Sequence, residues 1–173
     1  RSRGLGDVYK RQIYEFAGMQ RLAICPLINA DWLPQLERLS ATFPATTVVI
    51  DHFARIGVEG FGKVPPVPGP IKPDEVANLV KLARYPGVHV KVSAYYALGR
   101  RTPPYDDMIP FINELLKAYG PERLMWGSDC PYQLDGGHTY KASISLIRDR
   151  LVGVSVEDRE WLLRKTAERV FFT

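Results

Sequence analysis

The chain has 173 residues, 46% of them hydrophobic and 24% charged, which fits a single globular domain. Its apolar runs are too short to cross a bilayer and no secretory signal is recognisable, so the sequence argues against a membrane protein. Two cysteines, Cys25 and Cys130, are too few for a disulfide framework, and we expect a cytoplasmic protein.

Most of the net charge of +4 lies in the first twelve residues, RSRGLGDVYKRQ, which carry +3. This segment has no apolar period and no capping pattern, and it resembles translated adapter sequence. We therefore expect residues 1–12 to be non-native and residues 13–173 to form the domain, with the natural chain truncated at its N-terminus. The remaining charge of about +1 does not predict a nucleic-acid partner, since basic and aromatic residues are not interleaved either.

Four short apolar runs are predicted to be buried strands. They are RLAICPLI at 21–28, TTVVIDHF at 46–53, GVHVKVSAYY at 87–96 and ERLMWGSD at 122–129. The second run is rich in β-branched residues, which favour strands. Strands of this kind, apolar on both faces, are typical of a sheet that is covered by helices.

A helical segment follows each of the first two strands. Residues 29–43 place leucines at helical spacing, with Asn29 or Asp31 as the expected N-cap. After a loop rich in glycine and proline at 57–73, Pro73 is expected to open the next helix.

The second half of the chain repeats this order. The helix at 106–120 can end at Gly120 in a left-handed cap, and a further helix is expected at 139–151. Ser155 with Asp158 three residues later is a capping-box pattern and predicts the start of the last helix.

Strands that alternate with helices predict an α/β fold with a parallel sheet. No G-x-G-x-x-G or Walker motif follows any strand, so a nucleotide-binding doubly wound fold lacks its fingerprint. Four β/α units are also half of a (β/α)8 barrel.

Polar groups follow the predicted strands at the carboxyl ends, where parallel α/β folds place their functional residues. The second strand ends in His52 and the fourth in Asp129. Because side chains alternate, we expect His52 to share a face with Ile50, and Asp129 to share a face with Gly127 and Met125. If both faces line the barrel interior, the two side chains meet at one mouth, and Gly127 leaves room beneath the acid.

This pair has two functional interpretations and one structural interpretation. The imidazole and the carboxylate can hold a metal, or they can act without one as general base and carbonyl polariser. Alternatively, His52 is a hydrogen-bonded structural residue and Asp129 shapes a turn.

The stretches VVIDHFAR, VHVKVSA and ERLMWGSDCPY resemble the C-terminal half of the amidohydrolase-related (amidohydrolase 2) TIM-barrel hydrolases, over roughly residues 20–172. That group includes dicarboxylate lactonases, sugar lactonases and aminocarboxymuconate-semialdehyde decarboxylase-like enzymes. The resemblance implies strands five to eight of a (β/α)8 barrel, and a fragment of a hydrolase that opens a lactone of a small carboxylated substrate. The alternatives are a metal-dependent decarboxylase of an aromatic or enoate acid and a non-enzymatic half-barrel binding module.

The resemblance also implies roles for individual residues. Asp129 matches a general base that activates water and often touches a metal, and His52 matches a histidine that polarises a substrate carbonyl or activates water. Arg55 matches an arginine that grips a substrate carboxylate, a task that suits a planar guanidinium. The structural alternative for Arg55 is a solvated loop arginine. His138 and Tyr96 are further candidates for substrate contact, with loop structure and aromatic packing as their alternatives.

Two departures from the family pattern bear on the metal. The first-strand H-x-H pair is absent, and His89 begins its strand, at the end remote from catalysis. Where metal-binding members carry a histidine, Cys25 precedes Pro26. A thiolate there can bind zinc, a neutral thiol fits a metal-free lactonase, and a small buried hydrophobe is the structural reading. The expected metal ligands are thus Asp129, His52 and Cys25, for zinc or manganese, while a metal-free mechanism stays open.

The expected partner is a small carboxylated molecule, with no nucleic acid and no membrane. An isolated half-barrel would leave sheet edges open, which favours a homo-oligomer. The fragment alone is expected to be inactive, because the first-strand ligands are missing.

Overall fold

The computed structural model describes residues 3–59 and 67–172, and within them four parallel strands form one sheet. Together with two strands outside this sheet, the described strands are β1 (Ala23–Ile24), β2 (Thr47–Ile50), β3 (Val58–Glu59), β4 (Val67–Pro68), β5 (Val88–Ser93) and β6 (Leu124–Gly127). The sheet has the order β1-β2-β5-β6, and every pair in it is parallel. The predicted strand order is therefore confirmed. Strands β3 and β4 form a small antiparallel ribbon within the loop expected at 57–73.

A helix follows each strand of the sheet, as predicted, and one further helix precedes the first strand. The helices are α1 (Arg3–Gln20), α2 (Leu33–Thr42), α3 (Pro73–Lys81), α4 (Ile109–Tyr119), α5 (Tyr140–Ser145), α6 (Val156–Glu160) and α7 (Thr166–Phe171). A π-helical turn at Leu146–Arg150 extends α5, and another at Trp161–Lys165 joins α6 to α7. Across the described ranges, we find no helix with both the length and the apolar character needed to cross a bilayer.

The two faces of the sheet differ in what they contact. Ile50 lies opposite Val90, and Val90 lies opposite Leu124. These three side chains are fully buried in one core with helix residues such as Leu79 and Leu115. This face is therefore the one that carries the helices, and the other face is left to line the interior of a barrel.

The predicted helix starts are confirmed at two positions and wrong at one. Pro73 opens α3, and Ser155 forms a capping box with Asp158. The N-cap expected at Asn29 or Asp31 is wrong, because a 3₁₀ turn runs directly into α2 and neither side chain caps the helix. The turn supplies backbone hydrogen bonds at this end, including one from the N–H of Trp32 to the carbonyl of Asn29 at 3.0 Å.

Helix α1 was not expected from the sequence. It runs through residues set apart as adapter-like, and among its side chains that the structure describes, Tyr14 and Ala17 are buried. The hydroxyl of Thr46 donates to the carbonyl of Tyr14 at 2.7 Å, which ties this part of α1 to the chain before β2. That residues 1–12 are non-native stays a prediction.

The end of α1 leads to a first testable prediction. Arg21 has a φ of 55°, and paired bonds from the N–H of Arg21 to Gly18 and from Leu22 to Ala17 close the helix. Because a side chain in this left-handed conformation costs about 1 kcal/mol, Arg21→Gly should raise the free energy of unfolding by roughly that amount in a urea titration.

Arg38→Gly is the matched control, because Arg38 is exposed inside α2. A glycine there should lower the free energy of unfolding by about 1 kcal/mol. Equal losses in both variants would show that Arg21 is not left-handed.

Candidate active site

Three side chains from three elements meet at the carboxyl ends of the sheet. The Nδ1 atom of His52 is 2.8 Å from the hydroxyl oxygen of Ser93, and its Nε2 atom is 3.5 Å from Oδ2 of Asp129. His52 follows β2, Ser93 ends β5, and Asp129 comes two residues after β6. The predicted approach of His52 and Asp129 is therefore seen in the structure.

The face argument that led to this approach is wrong, however. Ile50 lies on the helix-covered face, in one row with Val90 and Leu124, whereas Met125 lies opposite Lys91 on the other face. If side chains kept alternating beyond the strand ends, His52 and Asp129 would therefore lie on opposite faces of the sheet. The chain leaves the strand after Ile50 and enters a left-handed turn, in which His52 has φ 50° and ψ 51°, and this turn brings the imidazole across.

This turn is unusual for its composition. The four successive residues from His52 to Arg55 all have φ between 50° and 54°, and none is glycine. Left-handed backbone costs roughly 1–2 kcal/mol for each such residue, and strained conformations of this kind cluster at functional sites. Burial of Phe53 and Ala54, both fully inaccessible, anchors the turn to the core.

Asp129 is held as a hydrogen-bond acceptor. It has φ 52°, a conformation that aspartate tolerates better than most residues. The hydroxyl of Tyr96 donates to Oδ2 of Asp129 at 2.7 Å. Burial first, and then the bond to Asp129, raise the pKa of Tyr96, so the phenol stays protonated and keeps donating. Gly127 lies opposite Ser93 in the ladder, so the space beneath Asp129 is bordered by a small residue.

The surroundings of His52 favour its neutral form. Burial lowers the pKa of His52, and the opposing effect of the nearby carboxylates does not reverse this. Because Nε2 faces the carboxylate of Asp129, the neutral ring is most stable with its proton on Nε2. Nδ1 then accepts a hydrogen bond from the hydroxyl of Ser93. At 3.5 Å the contact with Asp129 is long, so little energy opposes insertion of a substrate or water between the two.

Arg55 lies near this pair. Its positive charge contributes to lowering the pKa of His52 and opposes the rise in the pKa of Tyr96. The same left-handed turn therefore carries a neutral imidazole and a guanidinium to one mouth.

Cys25 belongs to a neighbouring group. Lys91 forms an ion pair with Asp51, Nζ to Oδ1 at 2.7 Å, and both charges act on the Cys25 thiol. The interpretation of Cys25 as a small buried hydrophobe is wrong, because the residue is exposed. Partial desolvation still raises the pKa of Cys25, which favours the neutral thiol over the thiolate.

The expected metal ligands fit a metal only in part. His52 Nε2 and Asp129 Oδ2 are spaced like two adjacent ligands of one zinc ion. Cys25 does not join them, and the described parts of the chain bring no three histidine, cysteine or acidic residues together as a metal site. A structural or catalytic zinc takes at least three protein ligands, so the residues in hand are an incomplete set.

His138 stands at the edge of this site. Its Nδ1 atom is 2.8 Å from the hydroxyl oxygen of Tyr105, and its ring lies edge-on to that of Tyr96 at 6.2 Å. His89 lies at the opposite end of β5, where its Nδ1 contacts the carbonyl of Gly87, as expected for a structural residue.

Several residues of the site were not among the expected ones. Ser93 was visible in the sequence as a polar strand end, and Lys91 as a charge inside an apolar run. Tyr105 and Gln133 lie in loops without a periodic pattern, and no sequence signal marked them.

The sequence profile of the amidohydrolase family matches residues 2–173 of the chain. The L-fucono-1,5-lactonase of Burkholderia ambifaria is 29% identical over 120 residues, which are 68% of this chain and 37% of the relative. The 4-sulfomuconolactone hydrolase of Hydrogenophaga intermedia is 36% identical over 97 residues, 56% of this chain and 28% of the relative. The chain thus spans about a third of the length of these curated relatives.

A solved structure shares the fold. The amidohydrolase of Burkholderia multivorans, crystallised with bound zinc, superposes with a TM-score of 0.75 at 24% identity, covering 92% of this chain and 56% of the other. The four parallel β/α units therefore correspond to about half of a (β/α)8 barrel, as the sequence predicted, and their place in its C-terminal half stays a prediction.

Proposed function

The chain belongs to the amidohydrolase family, and from this we propose that it is the C-terminal half of an enzyme that opens a lactone of a small carboxylated substrate with water. The observation that carries the proposal is the approach of the Asp129 carboxylate to the His52 imidazole at the carboxyl ends of the strands. The two relatives that are named for lactones support the choice of a cyclic ester.

Asp129 is the proposed general base. Its carboxylate takes a proton from water as the water oxygen bonds to the lactone carbonyl carbon. The ring carbon–oxygen bond then breaks, and the departing alkoxide takes the proton back from Asp129 to give a hydroxy acid. The Tyr96 hydroxyl bond to Oδ2 holds the carboxylate in place and leaves Oδ1 for the water.

His52 is the proposed carbonyl polariser. Its Nε2 proton donates to the carbonyl oxygen, which becomes negatively charged in the tetrahedral intermediate. The bond between Nδ1 and Ser93 fixes the ring, so the donor is in position before the substrate arrives. As the alternative to this Nε2 donor, a zinc or manganese ion held by His52 and Asp129 together with further ligands would supply Lewis-acid polarisation of the same oxygen.

Arg55 is the proposed anchor for the substrate carboxylate, and this gives a second prediction. Arg55→Met should raise KM for a carboxylated lactone about 10- to 100-fold, since a charged hydrogen bond contributes about 1.5–3 kcal/mol. Arg55→Lys should recover only part of the loss, because an ammonium cannot form the two-pronged contact. Steady-state kinetics on a neutral sugar lactone should show little change.

Arg38→Met is the matched control, because Arg38 is exposed on α2. Equal losses on the neutral and the carboxylated lactone would contradict the anchoring role of Arg55.

The function is tested on the full-length enzyme with a panel of sugar lactones and muconolactones. Acid release follows lactone opening, whereas CO2 release would instead support a decarboxylase that uses the same His52 and Asp129 for proton transfer. With neither product from the panel, the non-enzymatic binding module becomes the better account. We further propose a cytoplasmic enzyme, since both cysteines are free, and a homo-oligomer that buries exposed edges.

A further inference from the structure

A chain of hydrogen bonds leads from the protein interior to His138. The amide nitrogen of Gln133 is 3.1 Å from the hydroxyl oxygen of Tyr105, and that oxygen is 2.8 Å from Nδ1 of His138. Gln133 is fully buried and Tyr105 nearly so, while His138 is partly exposed. The ring of Tyr105 is also stacked against the imidazole, with centroids 5.9 Å apart. The chain therefore connects two inaccessible groups to one that a ligand can reach.

The orientation of Gln133 fixes the direction of the protons. Its amide nitrogen also lies 3.4 Å from the backbone carbonyl oxygen of Thr139, which can only accept. Turning the amide over would set two oxygens against each other, so the nitrogen is the atom that faces both acceptors. Gln133 consequently donates to the oxygen of Tyr105.

The hydroxyl of Tyr105 can then act as a hydrogen-bond donor to His138. A phenol has a single hydrogen, and because its oxygen already accepts from Gln133, the hydrogen is free to point at Nδ1 of His138. Nδ1 must be unprotonated to accept it. Burial, and to a smaller extent the charge of Arg101, lower the pKa of His138, so the ring carries one proton at neutral pH. That proton is on Nε2.

We propose that Gln133 and Tyr105 are positioning residues that hold His138 as its Nε2–H tautomer, so that His138 donates a hydrogen bond to an acceptor oxygen of the substrate. This inference rests on the proposed function for its ligand. The imidazole borders Tyr96, whose hydroxyl binds Asp129, so the acceptor belongs to the part of the substrate next to the reacting carbonyl. A ring oxygen, hydroxyl or carboxylate of a lactone satisfies such a donor, whereas an ammonium group does not.

The tautomer can be measured on the 173-residue chain without any substrate. Long-range 15N–1H spectra of histidine report which ring nitrogen carries the proton, and variants of His52 and His89 assign the signals. We expect His138 to be protonated on Nε2. Tyr105→Phe should move a measurable fraction of His138 to the Nδ1-protonated form, because the donor to Nδ1 is gone.

Tyr95→Phe is the matched control. Tyr95 is equally buried, but its hydroxyl donates to the carbonyl of Val92 and does not contact His138. Gln133→Met provides a second route if Tyr105→Phe does not fold, since it frees the oxygen of Tyr105 to accept from Nδ1. An Nδ1-protonated His138 in the unaltered chain, or a tautomer unaffected by the foldable variants, would overturn the proposal.

Kinetics of the full-length enzyme test the substrate contact separately. His138→Ala should raise KM about 10-fold with kcat nearly unchanged, the loss of one hydrogen bond. His138→Gln should recover part of the affinity, because its amide nitrogen extends to about the position of Nε2. If no lactone is opened but the tautomer of His138 is as expected, the proposed function is wrong, while the positioning of His138 by Gln133 and Tyr105 is still supported. A normal KM in His138→Ala would instead show that His138 does not bind the substrate.

Discussion

Asp129→Asn should lower kcat of the full-length enzyme for lactone opening by about 10²–10⁴, the usual contribution of a general base. The substitution removes the proton acceptor and little else. Asparagine tolerates the left-handed backbone of Asp129, and its amide oxygen can still accept from the hydroxyl of Tyr96. The free energy of unfolding should therefore change by less than about 1 kcal/mol, which separates a chemical effect from a folding defect.

Asp135→Asn is the matched control for this experiment. Asp135 lies six positions further along and is exposed, so its variant should keep both kcat and stability. Near-normal turnover in Asp129→Asn would remove the proposed mechanism, because no other described acidic side chain lies within 3.5 Å of His52.

The sheet and its order were predictable because they depend on local pattern. Runs such as TTVVI are apolar on both faces, and only a helix-covered parallel strand buries both. The α2 N-cap was not predictable, because Pro34 and a preceding 3₁₀ turn altered the start of the helix. Helix α1 was missed because its first residues were set apart as adapter-like, and because two buried residues in its described part, Tyr14 and Ala17, are too few to give a periodic apolar face.

In the candidate site, too, some features were predictable from local pattern and others were not. Asp129 and His52 could be found because they stand at strand ends, where parallel folds gather functional groups. Their approach could not be derived from alternation, since it depends on a left-handed turn at His52 that the residues FAR do not signal. Tyr105 contacts His138 across 33 positions and Gln133 contacts Tyr105 across 28, and such contacts follow only from the packed loops.

His52→Ala should lower kcat by about 10²–10³, the effect of removing one donor to a developing oxyanion. His52→Gln should recover part of this, because its amide nitrogen can replace the Nε2 donor. A pH profile adds a readout that a structural role would not change. Protonated His52 would pair with Asp129 and weaken its action as a base, so kcat/KM should fall as the pH drops through the pKa of His52.

Because burial lowers that pKa, the fall should come at a pH below the ordinary histidine value of about 6.5. The limb should disappear in His52→Gln, which cannot take up a proton. His89→Gln is the matched control: it replaces a similarly buried histidine at the far end of β5 and should leave the profile unchanged. An acid limb at the same pH in His52→Gln would assign that titration to another group and leave His52 a packing role, whereas a fall only at lower pH is what protonation of the general base requires. If His52→Gln loses the His52 acid limb and also has a lower kcat, then the left-handed turn after β2 positions a catalytic residue.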